Sequence, residues 1–160
     1  MTFILRWLLI LILLVFVAFS LFPAALVTLL QSHVNIPWLS ADHAQIAVNT
    51  SAVETGLWYG AAVFLLIAMI RLVRRTQAFW AWLIGFALYG GRWALVQQGE
   101  GGLLPALQRL TADSFRPETL GNDLTAPAPQ LVLIAALLLV GLLTAIVDHG
   151  DRKYWNAQAA

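Results

Sequence analysis

Cysteine is absent from this chain, methionine occurs only twice, and charge is scarce. Without cysteine there can be no disulfide, thiolate metal ligand, iron–sulfur cluster or thiol redox centre. Charged residues make up 11% of the 160 positions and hydrophobic ones 61%. That is more apolar surface than a soluble domain of this length covers, so the chain is expected to use lipid as solvent. A net charge of +1 does not provide the clustered, solvated cations of a nucleic-acid surface.

Charge is also missing from particular places. Between Trp7 and Ala41 there is no Asp, Glu, Lys or Arg, and the acids Asp42, Glu54, Glu100, Asp113, Glu118, Asp123, Asp148 and Asp151 all fall in connecting segments or at the ends of apolar runs. Transporters and proton pathways need an ionisable group at mid-membrane, where the charge of the cargo must be offset. His33, His43 and His149 likewise avoid the apolar runs, and a buried haem or pigment is commonly ligated by an imidazole. His33, Asp42 and His43 match no metal-ligand spacing. These absences argue against an enzyme and against a cofactor held covalently or by ligation, and leave room for a structural phospholipid.

What is present is four apolar stretches, each near the roughly 20 residues needed to cross a hydrocarbon core of about 30 Å. They cover about 7–30, 53–72, 78–96 and 130–147. The expected fold is all-α: one integral membrane domain over 1–160, a bundle of four transmembrane helices. The first stretch is too long for the apolar region of a secretory signal and has only Arg6 before it, so it reads as a retained helix. With the N-terminus inside, Arg6, Arg71, Arg74, Arg75, Arg152 and Lys153 lie on the cytoplasmic side, Arg109 and Arg116 lie outside, and Arg92 falls within the third span. The bias of basic residues toward the cytoplasm favours this orientation, with both termini cytoplasmic in a bacterial inner membrane.

The connections are unequal. Only Val73 to Gln77 separate the second and third spans, which predicts a tight central hairpin whose turn is the most basic site in the chain. The outer segments, about 31–52 and 97–129, are longer. In the second, Leu103, Leu104, Leu107 and Leu110 recur at helical spacing with Pro105 in a first turn, which predicts a short helix in the interface plane. Residues 116–129 read as an irregular connector.

Gly56 and Gly60 form a GxxxG pair extended by Ala61, and Ala87 and Gly91, with Gly85 and Gly90 nearby, form a small-residue stripe. Small residues let lipid-immersed helices approach closely, so both sets are expected to pack the second span on the third. The first and fourth spans lack such order. Pro23 removes a backbone donor and predicts a kink near Phe19 to Pro23. Trp7, Trp38, Trp58, Trp80, Trp82, Trp93 and Trp155 fall mostly near span ends, where indole rings favour the headgroup boundary. Trp80 and Trp82 are assigned to that belt in preference to a quinone or lipid site.

Arg71, Arg74 and Arg75 exceed what orientation alone requires. They are read either as a contact for an anionic lipid or an acidic partner, or as a topology signal alone. Arg92, the lone charge inside a span, reads as a snorkelling residue or one paired with another subunit. Together these features point to a non-catalytic accessory subunit of a larger membrane complex, such as a respiratory or photosynthetic electron-transfer assembly. Its expected partners are other integral membrane subunits and lipid. The competing reading is a small homo-oligomeric transporter or channel using Arg92 with Tyr89 and Gln97 as a polar path.

Overall fold

The computed structural model describes residues 2–32, 51–99, 101–108, 110–116 and 127–159, and these are helical almost throughout. Four long helices, α1 (Thr2–Gln31), α2 (Ala52–Val73), α3 (Phe79–Gly99) and α5 (Pro127–Ala159), are accompanied by the short α4 (Leu103–Gln108) and a 3₁₀ turn at Ala112–Phe115. In lipid every backbone N–H and C=O must be satisfied within the segment, and uninterrupted apolar runs meet that demand as helices. Ser51 starts α2 by accepting the Glu54 N–H at 3.2 Å on its hydroxyl. α1 continues as one helix through Pro23.

Three of the helices are long and apolar enough to cross a membrane: Phe3–Gln31, Ala52–Val73 and Pro127–Arg152. The chain is therefore an all-α, membrane-like bundle. The segment expected as the third span forms α3 but is not among these three. Arg92, the glycines Gly85, Gly90 and Gly91, and the indoles of Trp80, Trp82 and Trp93 dilute its apolar character. The expected short helix is present as α4, with Leu104 and Leu107 exposed. It follows a reversal at Gly101 and Gly102, where φ of +105° and +107° calls for glycine and Gly102 N–H donates to Gln97 O at 2.8 Å.

Contacts at the helix ends show that the four long helices alternate in direction. Arg6 near the start of α1 meets Asp151 toward the end of α5. Thr28 late in α1 lies 3.0 Å from the Tyr59 hydroxyl early in α2. Trp58, also early in α2, stacks under Arg92 late in α3. α2 packs most extensively, against α1 on one side and α3 on the other, and α5 closes the bundle against α1 and α3.

The interior is built from Leu9, Leu13, Phe16, Leu65, Ala68, Leu72, Trp82, Leu137, Val140 and Val147. Phe16 meets Tyr89 edge to face at 6.2 Å, and Trp82 lies between Phe79 and Phe86 at 5.4 and 5.3 Å. Trp82 does not join a headgroup belt. It is only 4% exposed and donates from Nε1 to the carbonyl of Leu137 at 3.1 Å. Gly141 makes this contact feasible. Side chains on a helix lean toward its N-terminus, so a residue four positions on shields the carbonyl below it. Glycine there leaves the Leu137 carbonyl uncovered, and a Cβ at Gly141 would collide with the Trp82 ring. Trp80, by contrast, is exposed.

Gly141→Ala is expected to force the Trp82 ring outward and to cost about 1–3 kcal/mol, the usual range for overpacking. Gly90→Ala, where a Cβ meets nothing within 4 Å, should leave stability unchanged or slightly raised. Thermal unfolding of the two variants in the same detergent checks this ordering.

Candidate functional site at the basic end of the bundle

The turn between α2 and α3 closes α2 with two reversed hydrogen bonds, Thr76 N–H to Arg71 O at 2.9 Å and Arg75 N–H to Leu72 O at 3.3 Å. This pairing is a Schellman closure. It places the residue after the cap in the left-handed region, a position that glycine usually fills. Here it is Arg75, with φ of 55°. An L-residue there carries a backbone cost of about 1–2 kcal/mol, which glycine would avoid. Arg71 spans the turn, donating from Nη1 to Gln77 O at 3.0 Å, while Arg74 caps the helix by its backbone N–H. All three arginine side chains are exposed.

α5 secures this end from the other side with two carboxylates three residues apart. Asp148 Oδ2 accepts the Ala78 N–H at 2.8 Å and the Phe79 N–H at 2.9 Å. These are donors at the start of α3, which has no preceding helical turn to receive them. The carboxylate also faces the positive end of the α3 dipole. Asp148 is buried, and its Oδ1 has no hydrogen-bond partner among the described residues. Asp151 accepts from Arg6 Nη2 on both oxygens, at 2.5 and 2.7 Å. Arg6 is almost fully buried, and its Nε has no partner among the described residues. A shallow groove of about 80 Å³ lies beside it, lined by Phe3, Arg6, Trp7, Ile10, Val73 and Arg75.

The structure thus brings Arg71, Arg74 and Arg75 together with Arg6, and places Arg92 at the opposite end. Arg92 lies 3.8 Å over the Trp58 ring, an intrachain cation–π contact across α2 and α3. The small residues divide. Gly60 faces Leu88, whose Cδ1 would stand 3.0 Å from an added Cβ, and Gly85 faces Leu65 at 2.9 Å, so these two bring α2 and α3 together. Gly56 and Gly91 have nothing within 4 Å of an added Cβ, and Ala87 is exposed. Those three do not lie in the seam between α2 and α3 that the sequence pattern implied. The tight approach between α3 and α5 is made instead by Gly141, in a span that read as featureless.

His33, Asp42 and His43 lie outside the described residues. Among the described residues no group of three or more His, Asp or Glu is arranged to hold a metal ion. Of the residues that organise this end, the sequence pattern marks Arg6 only as a topology signal and Asp148 and Asp151 only as span-end acids. One signal pointed to them: Asp148 and Asp151 are spaced i, i+3 directly after an apolar run, which puts both carboxylates on one helix face. The fold and this site define an all-helical, membrane-like bundle fastened at one end by ion pairing and capping. No protein-family model, curated protein or solved structure matches the chain.

Asp151→Asn leaves Arg6 buried without its counter-charge. It is expected to destabilise the bundle by about 3 kcal/mol, at the low end for a broken buried pair because Asp151 is partly exposed. Replacing both partners, Arg6→Met with Asp151→Leu, should recover most of that loss. Unfolding midpoints in detergent for the single and double variants provide the check.

Proposed function

We propose that the chain is a four-span, non-catalytic accessory subunit of a larger membrane complex, with both termini on the cytoplasmic face of a bacterial inner membrane. The observation that carries this reading is how the interior charges are used. Arg6, Asp148 and Asp151 each join one helix to another, and Arg92 joins α2 to α3 through an indole. Groups committed in this way hold helices together and do not line a path for a moving charge.

The four-span count is supported by α3 lying antiparallel between α2 and α5, with 21 residues against the 22 of α2. At 1.5 Å per residue both are about 32 Å long, close to a hydrocarbon thickness of ~30 Å. Arg92 sits near the end of α3, where its charge can reach the headgroup region while its stem remains among apolar groups. The orientation is supported by the gathering of Arg6, Arg71, Arg74, Arg75 and Arg152 at one end. Outward faces on α1 and α5, including Leu11, Leu14, Phe22, Leu139 and Leu142, are exposed within the chain and suit lipid or apolar helices of neighbouring subunits.

Gentle detergent extraction followed by native electrophoresis and mass spectrometry of the copurifying proteins tests this reading. Comigration with a large assembly, lost when the detergent is made harsher, is the expected outcome. A small self-oligomer that conducts ions or solute in liposomes would overturn it in favour of a transporter, and the cofactors of any comigrating complex would identify its class.

A further inference from the structure

The groove between the start of α1 and the end of α2 has two chemically distinct walls. Phe3, Trp7, Ile10 and Val73 make one side apolar, with the Phe3 and Trp7 rings edge to face at 6.3 Å, and Arg6 and Arg75 complete the lining. At ~30 Å³ of liquid per water, its volume of about 80 Å³ is that of two to three waters, the scale of a phosphate group and not of a whole lipid. Phe3 and Trp7 are themselves half or more exposed, so the apolar wall continues onto the outer surface of α1.

Charge at this end is one-sided. The carboxylate of Asp151 is taken by Arg6, and Asp148 is buried as the cap of α3. Among the described residues no carboxylate lies within ion-pair distance of Arg71, Arg74, Arg75 or Arg152. Two further observations bear on the groove. Arg6 lines it while almost fully buried, with Nη2 on Asp151 and an Nε that is closed to solvent and has no acceptor among the described residues. Arg75 lines the groove from a left-handed backbone that glycine would adopt without strain, and it has no carboxylate within ion-pair distance among the described residues.

We propose that this groove is a binding site for an anionic phospholipid, with the phosphate held at Arg75 and Arg6 and the first part of an acyl chain lying along Trp7, Phe3 and Ile10. Charge complementarity selects the headgroup, because a zwitterionic lipid would bring its own cation into a cluster of arginines. The apolar wall selects a lipid over a free anion. Arg75 is the specificity residue, since Arg6 is already committed in part to Asp151. The site also fits the bundle mechanically: a lipid here would touch α1 and the α2–α3 turn at once, next to the ion pair that fastens α5.

The backbone at Arg75 permits a test in which binding and stability move in opposite directions. The full chain, in nanodiscs of phosphatidylcholine doped with phosphatidylglycerol, is released into the gas phase and its retained lipid identified by native mass spectrometry. Wild type should retain phosphatidylglycerol in preference to phosphatidylcholine. Arg75→Gly should lower that preference about fivefold, the effect of one cation near an anionic surface, while its thermal midpoint in pure phosphatidylcholine stays equal or rises. Arg75→Asn, which tolerates the left-handed backbone and lacks the charge, is read in the same way if the glycine variant loses its helical circular dichroism. Equal preference in wild type and variant would overturn the proposal. So would displacement of the lipid by inorganic phosphate at matched concentration, which would assign the site to a free anion.

Discussion

α3 begins without a preceding turn to absorb its first backbone donors, and in a low-dielectric environment such donors are costly to leave unmet. The carboxylate of Asp148, on a different helix 70 positions along the chain, receives two of them. Helix α5 is thereby fixed in height and rotation against the α2–α3 hairpin. Its next face residue, Asp151, is brought to Arg6 and fastens the start of α1. The polar end of the bundle is thus one connected arrangement, in which the cap sets the position and the ion pair completes it.

This arrangement matters because lipid supplies little drive for one apolar helix to choose another. Close packing and internal hydrogen bonds must do so. Where the chain needs two backbones near each other it uses glycine at single points: Gly60 under Leu88, Gly85 under Leu65 and Gly141 under Trp82. At the last of these, missing side-chain volume exposes a carbonyl that an indole N–H can reach, so packing and hydrogen bonding reinforce each other. The outward surfaces of α1 and α5 remain apolar and exposed, and Arg71, Arg74, Arg75 and Arg152 stand exposed at one end. The molecule therefore offers a hydrocarbon-compatible flank and a basic rim.

The sequence pattern and the structure agree on the elements and part company on the seams. The tight hairpin was legible because only five residues separate two apolar runs, and the basic turn because Arg74 and Arg75 fall within it and Arg71 just before it. The GxxxG spacing correctly marked Gly60 but also marked Gly56, which shares nearly the same face one turn nearer the start of α2 and yet has nothing within 4 Å of an added Cβ. Trp82 read as a belt residue because it lies near a span end. Depth along the helix is a one-dimensional quantity, while its direction around the axis is what buries it. Arg92 was recognisable as an anomaly in its helix, yet its partner Trp58 could not be chosen from among seven indoles without knowing which faces of α2 and α3 meet.

By itself the sequence determined that this is an all-helical membrane-like protein, the order of its long helices though not their ends, and which turn carries the positive charge. Those properties depend on local composition and run length, which solvent and backbone hydrogen bonding convert directly into helix. Only the tertiary structure decided that Arg6 pairs with a residue 145 positions away, that Asp148 caps α3, and that Gly141 admits an indole to a carbonyl. Each depends on the rotation and relative height of separate helices, and those are set by the packing of the whole bundle, which no single segment encodes.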